Sequence, residues 1–280
     1  MGPIDQNDFE PAAPDEPGRP SRGSAGLLAR AVESEIIPRL VRAHSPHPQP
    51  EARDPHIDAQ EVEHLTDQLL HGDDLALNEI INGLRRRGVS VQAIFLDLLT
   101  PAARRLGDFW SCDTCSFTEV TVAMGRLQQL LRANSSAFGL NNISDGKAAD
   151  RRVLLLPCPG EQHTFGLSIV AEFFYRAGWD VTTSFIQPSA SLHQLVERQW
   201  FDVVGLSLSD VAGVGRLNDC IRQIRRASMN PHLPILAGGS VFVLNPRLAE
   251  TTAADAVVWR ADEAPEAATR LLERQSAKQL

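Results

Sequence analysis

The chain has 280 residues, 43% hydrophobic and 22% charged, which suits a folded globular protein of one large domain or two small ones. A formal net charge of -8 argues against bulk electrostatic adhesion to nucleic acid. The longest nearly uncharged apolar stretch, residues 233–244, is broken by Gly238-Gly239 and is too short for a membrane span, which needs about 20 residues.

The N-terminus is acidic and Pro-rich with no apolar signal core, so a cytoplasmic location is expected. Ten of the 18 prolines fall in the first 55 residues, and residues 1–56 read as a flexible arm. Within it, residues 25–44 form an amphipathic pattern, with Leu28, Val32, Ile36 and Leu40 at helical spacing and Pro38 as a kink. Such an island in an arm is suited to docking.

Residues 57–134 read as a helical bundle. Val62, Leu65 and Leu69 share one helical face, Leu77, Ile80, Ile81 and Leu84 the next, and Gly88 is placed to end that second helix. Val91, Ile94, Phe95, Leu98 and Leu99 give a third, and a fourth starts at Ser116 with Phe117, Val120, Met124, Leu127 and Leu131. Ser116-Phe117-Thr118-Glu119 is a capping box at the head of the fourth helix. Of the four cysteines, Cys112 and Cys115 form a lone CxxC after a helical pattern, without the second pair a zinc site needs.

The Asn-, Ser- and Gly-rich residues 135–150 read as a linker. Strands are expected at 152–156, 180–185, 202–208, 234–237 and 255–259, alternating with helices at 166–178, 190–199, 214–226, 246–252 and 263–275. Residues 151–280 are thus an α/β domain, a doubly wound five-stranded parallel sheet of flavodoxin-like order 2-1-3-4-5. Ligands of such sheets bind beyond the carboxyl ends of the strands where the order reverses, between the first and third strands. Three loops converge there: His163 follows the first strand, Ser207-Leu208-Ser209 ends the third, and Gly238-Gly239 ends the fourth. Hydroxyls and glycines in two of them leave a slot for something long and flat. A phosphoreceiver is set aside, because the third strand ends Gly205-Leu206-Ser207 and not in a carboxylate.

Glu161-Gln162-His163-Thr164-Phe165-Gly166, Ser207-Leu208-Ser209 and Gly238-Gly239 resemble the Asp-x-His-x-x-Gly, Ser-x-Leu and Gly-Gly elements of cobalamin-binding domains. Residues 98–110 and 117–131 are similar to the four-helix bundle that precedes those domains, so the resemblance spans about residues 57–260. It implies that His163 is the lower axial ligand of cobalt, that the displaced nucleotide tail threads between the Ser207–Ser209 and Gly238-Gly239 loops, and that Trp110 lies against the upper face with Glu119 nearby. Two positions depart from the pattern: Glu161 replaces an aspartate and Ser209 a leucine. A single histidine equally suits haem, the alternative occupant. Light-sensing relatives carry Glu-His where this chain has Glu119-Val120, so their bis-histidine adduct does not carry over.

Residues 32–44 resemble the segment before the cobalamin domain in the AerR/PpaA regulators of purple photosynthetic bacteria. That resemblance implies a non-enzymatic antirepressor that senses light, redox or cofactor state and acts on a DNA-binding transcriptional repressor of photosynthesis genes. No helix-turn-helix or zinc finger is visible, so direct DNA reading is not expected, and no substrate-holding barrel of about 250 residues fits beside the two domains. The alternative is a corrinoid shuttle for methyl transfer.

Overall fold

The computed structural model describes residues 56–139, 151–184 and 195–278. The arm with its expected helix at 25–44, linker residues 140–150 and the first half of the helix expected at 190–199 lie outside the described residues.

Helix α1 (Ala59–His71) starts where Asp58 accepts the Glu61 N–H at 2.9 Å and Glu61 accepts the Asp58 N–H at 3.0 Å. It buries Val62, Leu65 and Leu69. α2 (Asp74–Arg86) buries Leu77, Ile81 and Leu84. It stops at Gly88, whose φ of 87° lets the Val89 N–H turn back to the Leu84 carbonyl at 3.1 Å. The next helix is continuous but changes register: α3 (Val91–Ala93) widens into a π-helical segment (Ile94–Leu99) before α4 (Thr100–Ser111). Pro101 explains the widening, because it has no N–H to donate and its ring crowds the preceding turn. The Thr100 hydroxyl also bonds the Phe95 carbonyl at 2.8 Å.

α5 (Phe117–Gly139) runs past residue 134, where the sequence reading ends the bundle. Asn and Ser favour caps and turns, which made 134–136 look like loop, but packing overrides that preference. Asn134 is buried and donates to the Leu130 carbonyl at 2.8 Å. Phe138 is wedged between Phe95 at 4.9 Å and Phe173 at 5.0 Å, so the end of α5 fastens the bundle to the α/β domain. Arg176 lies 4.6 Å over the same ring and bonds Gln92 at 2.9 Å.

The sheet consists of β1 (Arg152–Pro157), β2 (Asp180–Thr183), β3 (Val203–Ser207), β4 (Ile235–Gly238) and β5 (Ala256–Val258), all parallel, in order β2-β1-β3-β4-β5. Leu154, Leu156, Val204, Leu206 and Ile235 pack on Leu217, Ile221 and Ile224 of α7 (Val214–Ala227). Val153, Leu155, Val203 and Leu236 face the other way, onto Leu167 and Phe174 of α6 (Phe165–Arg176) and Ala264 and Ala268 of α9 (Ala264–Lys278). Each buried Val, Leu or Ile contributes about 1.5–3 kcal/mol, which accounts for the near-continuous apolar run of β1. Where one helix was expected at 246–252, the chain forms short α8 (Ser240–Leu244) and then a 3₁₀ turn (Pro246–Thr251). Pro246 cannot continue α8, which separates the two.

Candidate functional site

β1 delivers the chain to the carboxyl edge of the sheet, where the Cys158 N–H bonds the Ser207 carbonyl at 2.8 Å. Cys158-Pro159-Gly160-Glu161 then form a tight turn, with the Glu161 N–H on the Cys158 carbonyl at 2.8 Å and Gly160 at φ 82°. Proline followed by a positive-φ glycine is the sequence of a type II turn. Arg216, two residues into α7, donates its Nε to the Pro159 carbonyl at 3.1 Å and braces the turn from below. Sequence reasoning missed Arg216, since nothing local ties it to a loop 57 residues earlier.

The turn drives Glu161 inward and leaves His163 outside: their side chains are 4% and 66% exposed. One Glu161 oxygen accepts the His163 N–H at 2.7 Å and meets His163 Nδ1 at 2.8 Å. The other accepts the Ser209 N–H and the Ser209 hydroxyl, both at 2.6 Å. A carboxylate only accepts, so Nδ1 carries the proton. The Ser209 hydroxyl donates its single O–H to Glu161, so its 3.0 Å contact with Nδ1 is as acceptor. The Nε2 lone pair is thereby left on the exposed side of the ring, in the tautomer that binds a metal. Burial is the largest influence on Glu161 and pushes its pKa up; bonds from Ser209 and His163 together outweigh it and hold the carboxyl below its ordinary range.

The two departures from the expected pattern therefore explain each other. Glu161 has one methylene more than aspartate, and that reach lets a single carboxylate span His163 and Ser209. Ser209 in place of leucine supplies the hydroxyl that fills the added acceptor capacity.

Ser207 stands in register with Pro157 on one side and Gly238 on the other, so the three loops do meet at one row of the sheet. The Ser207 Oγ is buried without a hydrogen-bond partner, a costly condition that a polar group entering the slot would relieve. Gly166 has nothing within 4 Å of where a Cβ would sit and no positive φ, so the protein's own packing does not demand glycine there. Gly239 is different. Its φ is 118° and a Cβ would lie 2.1 Å from the Leu208 carbonyl oxygen, so glycine is needed to let the β4 loop close on the β3 loop. Val211, Val243, Leu244 and Trp259 are exposed in the segments that follow β3, β4 and β5, apolar surface that the sequence reading did not single out.

The bundle residues are held by their own helices. Trp110, near the end of α4, is 45% exposed. Glu119 closes the capping box, accepting the Ser116 N–H at 2.8 Å and hydroxyl at 2.7 Å, while Ser116 Oγ accepts the Glu119 N–H at 3.3 Å. The Ser116 hydroxyl, then its N–H, lowers the Glu119 pKa. Neither residue shares a described hydrogen bond with the His163 loop.

Among the described residues no three His, Cys, Asp or Glu side chains cluster as a metal site. A metal held by His163 must bring most of its ligands with it, as cobalt in a corrin or iron in a porphyrin does. Two family models decide between them, each a B12 binding domain, matching residues 61–133 and 151–269. Both matched regions of this chain are B12 binding domains. An "Uncharacterized 20.5 kDa protein in bchF-crtJ intergenic region" of Rhodobacter capsulatus is 29% identical over 180 residues, 64% of this chain and 91% of the relative. The monomethylamine corrinoid protein of Methanosarcina barkeri shares the fold at a TM-score of 0.59 and 13% identity, covering 76% of this chain and all of that one. A cobalamin-binding protein from Desulfitobacterium hafniense DCB-2 matches at a TM-score of 0.40 and 16% identity, covering 77% of this chain and 99% of that one.

Cobalamin is accordingly the cofactor of this B12-binding chain, and the residues present fit it: a metal-ready imidazole, an unsatisfied buried hydroxyl at the slot and an unfilled space at Gly166. When bound, it would supply a cobalt centre whose ligands exchange. His163 would hold that centre, Glu161 and Ser209 would fix the imidazole, and Ser207 would offer its hydroxyl to a polar group in the slot.

Proposed function

We propose that this B12-binding chain is a regulator and not an enzyme: an antirepressor that senses light, redox or cofactor state through His163-bound cobalamin and acts on a DNA-binding transcriptional repressor of photosynthesis genes. The observation that carries the regulatory reading is the relative from Rhodobacter capsulatus, whose name places it in a bchF-crtJ intergenic region and which matches this chain over most of its own length. The AerR/PpaA-like segment at residues 32–44 supports it. A signal carried by cobalamin requires that the partner discriminate the loaded from the empty protein, since equal affinity for both shifts no population.

The second reading is a corrinoid shuttle for methyl transfer, favoured by the fold shared with the monomethylamine corrinoid protein. Titrating a photosynthesis-gene repressor, free and on its operator, against empty and cobalamin-loaded protein separates them. Regulation requires at least a tenfold difference in affinity, about 1.4 kcal/mol, lost on deleting residues 1–56. Equal affinities, with methyl transfer from the loaded protein to an acceptor enzyme, decide for the shuttle.

A further inference from the structure

The turn between α4 and α5, Cys112-Asp113-Thr114-Cys115, takes no part in the cofactor reading. All four backbone N–H groups fold back onto the end of α4: Cys112 to the Asp108 carbonyl at 3.0 Å, Asp113 to Trp110 at 3.1 Å, and Thr114 and Cys115 to Phe109 at 2.8 and 3.4 Å. Asp113 is, among the described residues, the one non-glycine at positive φ, 54°, and this left-handed step reverses the chain between the cysteines. The amides of Cys112 and Cys115 thus stand at the carbonyls of adjacent residues, whose Cα atoms are about 3.8 Å apart. That places both cysteines on one turn folded back on the end of α4, and a disulfide needs its two Cα atoms close together, about 4.4–6.8 Å apart.

The remaining cysteines supply the contrast. Cys158 and Cys220 are buried, and burial pushes their thiols up to about 12 and about 11. Cys112 is exposed and Cys115 partly so, both as free thiols, in a turn whose side chains are outside the hydrophobic core. Exposure is what exchange chemistry requires.

We propose that Cys112 and Cys115 are a redox-active dithiol, a modification site that closes to an intramolecular disulfide by exchange with a small-molecule disulfide of the glutathione class. The thiolate of the more exposed Cys112 attacks one sulfur of the small disulfide, forming a mixed disulfide and expelling one small thiol. Cys115 then attacks the Cys112 sulfur and expels the second. The protein loses two electrons and two protons, which leave in the two small thiols. The bond joins Cys112, two residues after Trp110, to Cys115, which adjoins Ser116, the cap of α5, so its state sets the freedom of the bundle tip. This does not depend on the regulatory reading, and its failure leaves that reading standing.

The test equilibrates the full-length chain with reduced and oxidised glutathione at set ratios, quenches in acid, alkylates and maps the peptides by mass. The peptide holding both cysteines is expected to pass from two alkyl groups to none, with the loss of two hydrogens and one midpoint, while Cys158 and Cys220 stay reduced. Cys115→Ser should stall as a glutathione adduct on Cys112, because nothing remains to resolve it. A wild-type peptide that keeps both alkyl groups at every ratio, or halts at a stable adduct, overturns the proposal whether or not the variant folds.

Discussion

At the carboxyl edge of the sheet, Glu161 is 4% exposed and four hydrogen bonds from His163 and Ser209 converge on its two oxygens. At the tip of the bundle, Trp110 is 45% exposed and Glu119 bonds only within its own helix cap. The first region is assembled in advance: the tautomer, ring direction and counter-charge of His163 are fixed by the protein alone. The second is surface awaiting contact. A lone pair aimed at a metal must be oriented before the metal arrives, whereas an apolar wall over a ring can be completed on binding.

The comparison breaks outright if His163 is dispensable. His163→Ala should weaken cobalamin binding by more than about 100-fold, beyond the 10–100-fold typical of losing an outer-shell partner, and should abolish the histidine-ligated absorption spectrum. Far-ultraviolet circular dichroism should not change, because the side chain is exposed and outside the core. Unchanged affinity with an unchanged spectrum would remove His163 as the ligand.

A smaller effect sharpens the account of the clamp. Glu161→Asp shortens the carboxylate and Ser209→Leu removes the hydroxyl, and each should cost about tenfold in cobalamin affinity. Together they restore the aspartate and leucine of the resembled pattern, so E161D/S209L should bind more tightly than the product of the single losses allows. Additive losses in that double-mutant cycle would show that the two residues do not compensate each other.

The smallest effect belongs to the tip. Trp110→Ala should leave the thermal midpoint of the empty protein within about 2 °C of wild type, since exposed positions away from the core change stability by less than about 0.5 kcal/mol. Cobalamin affinity should fall by about threefold to tenfold, measured by the same titration. A large loss of stability with no change in affinity would make Trp110 a packing residue.

Much of this was legible in order along the chain. The apolar run at 152–156, the 3.6-residue periods of the bundle and the Pro-Gly turn before His163 are local patterns, and local patterns report local structure. The end of α5 was not legible, because Asn134 and Ser135 read as loop until Phe138 finds Phe95 and Phe173. Gly239 reads in the sequence as one wall of a slot, but its demand for glycine comes from the Leu208 carbonyl on another strand loop, which no local pattern reports. Arg216 was silent for the same reason.

The sequence by itself determined the sheet order, the bundle and the place of His163 on the loop after the first strand, because hydrophobic period and the topology of parallel sheets leave few arrangements. Only the tertiary structure decided what Glu161 does. Read alone it was an aspartate made too long, and Ser209 a leucine made polar. Their meaning lies in 2.6 Å bonds between residues 48 positions apart, and such bonds exist only once β1 and β3 lie side by side.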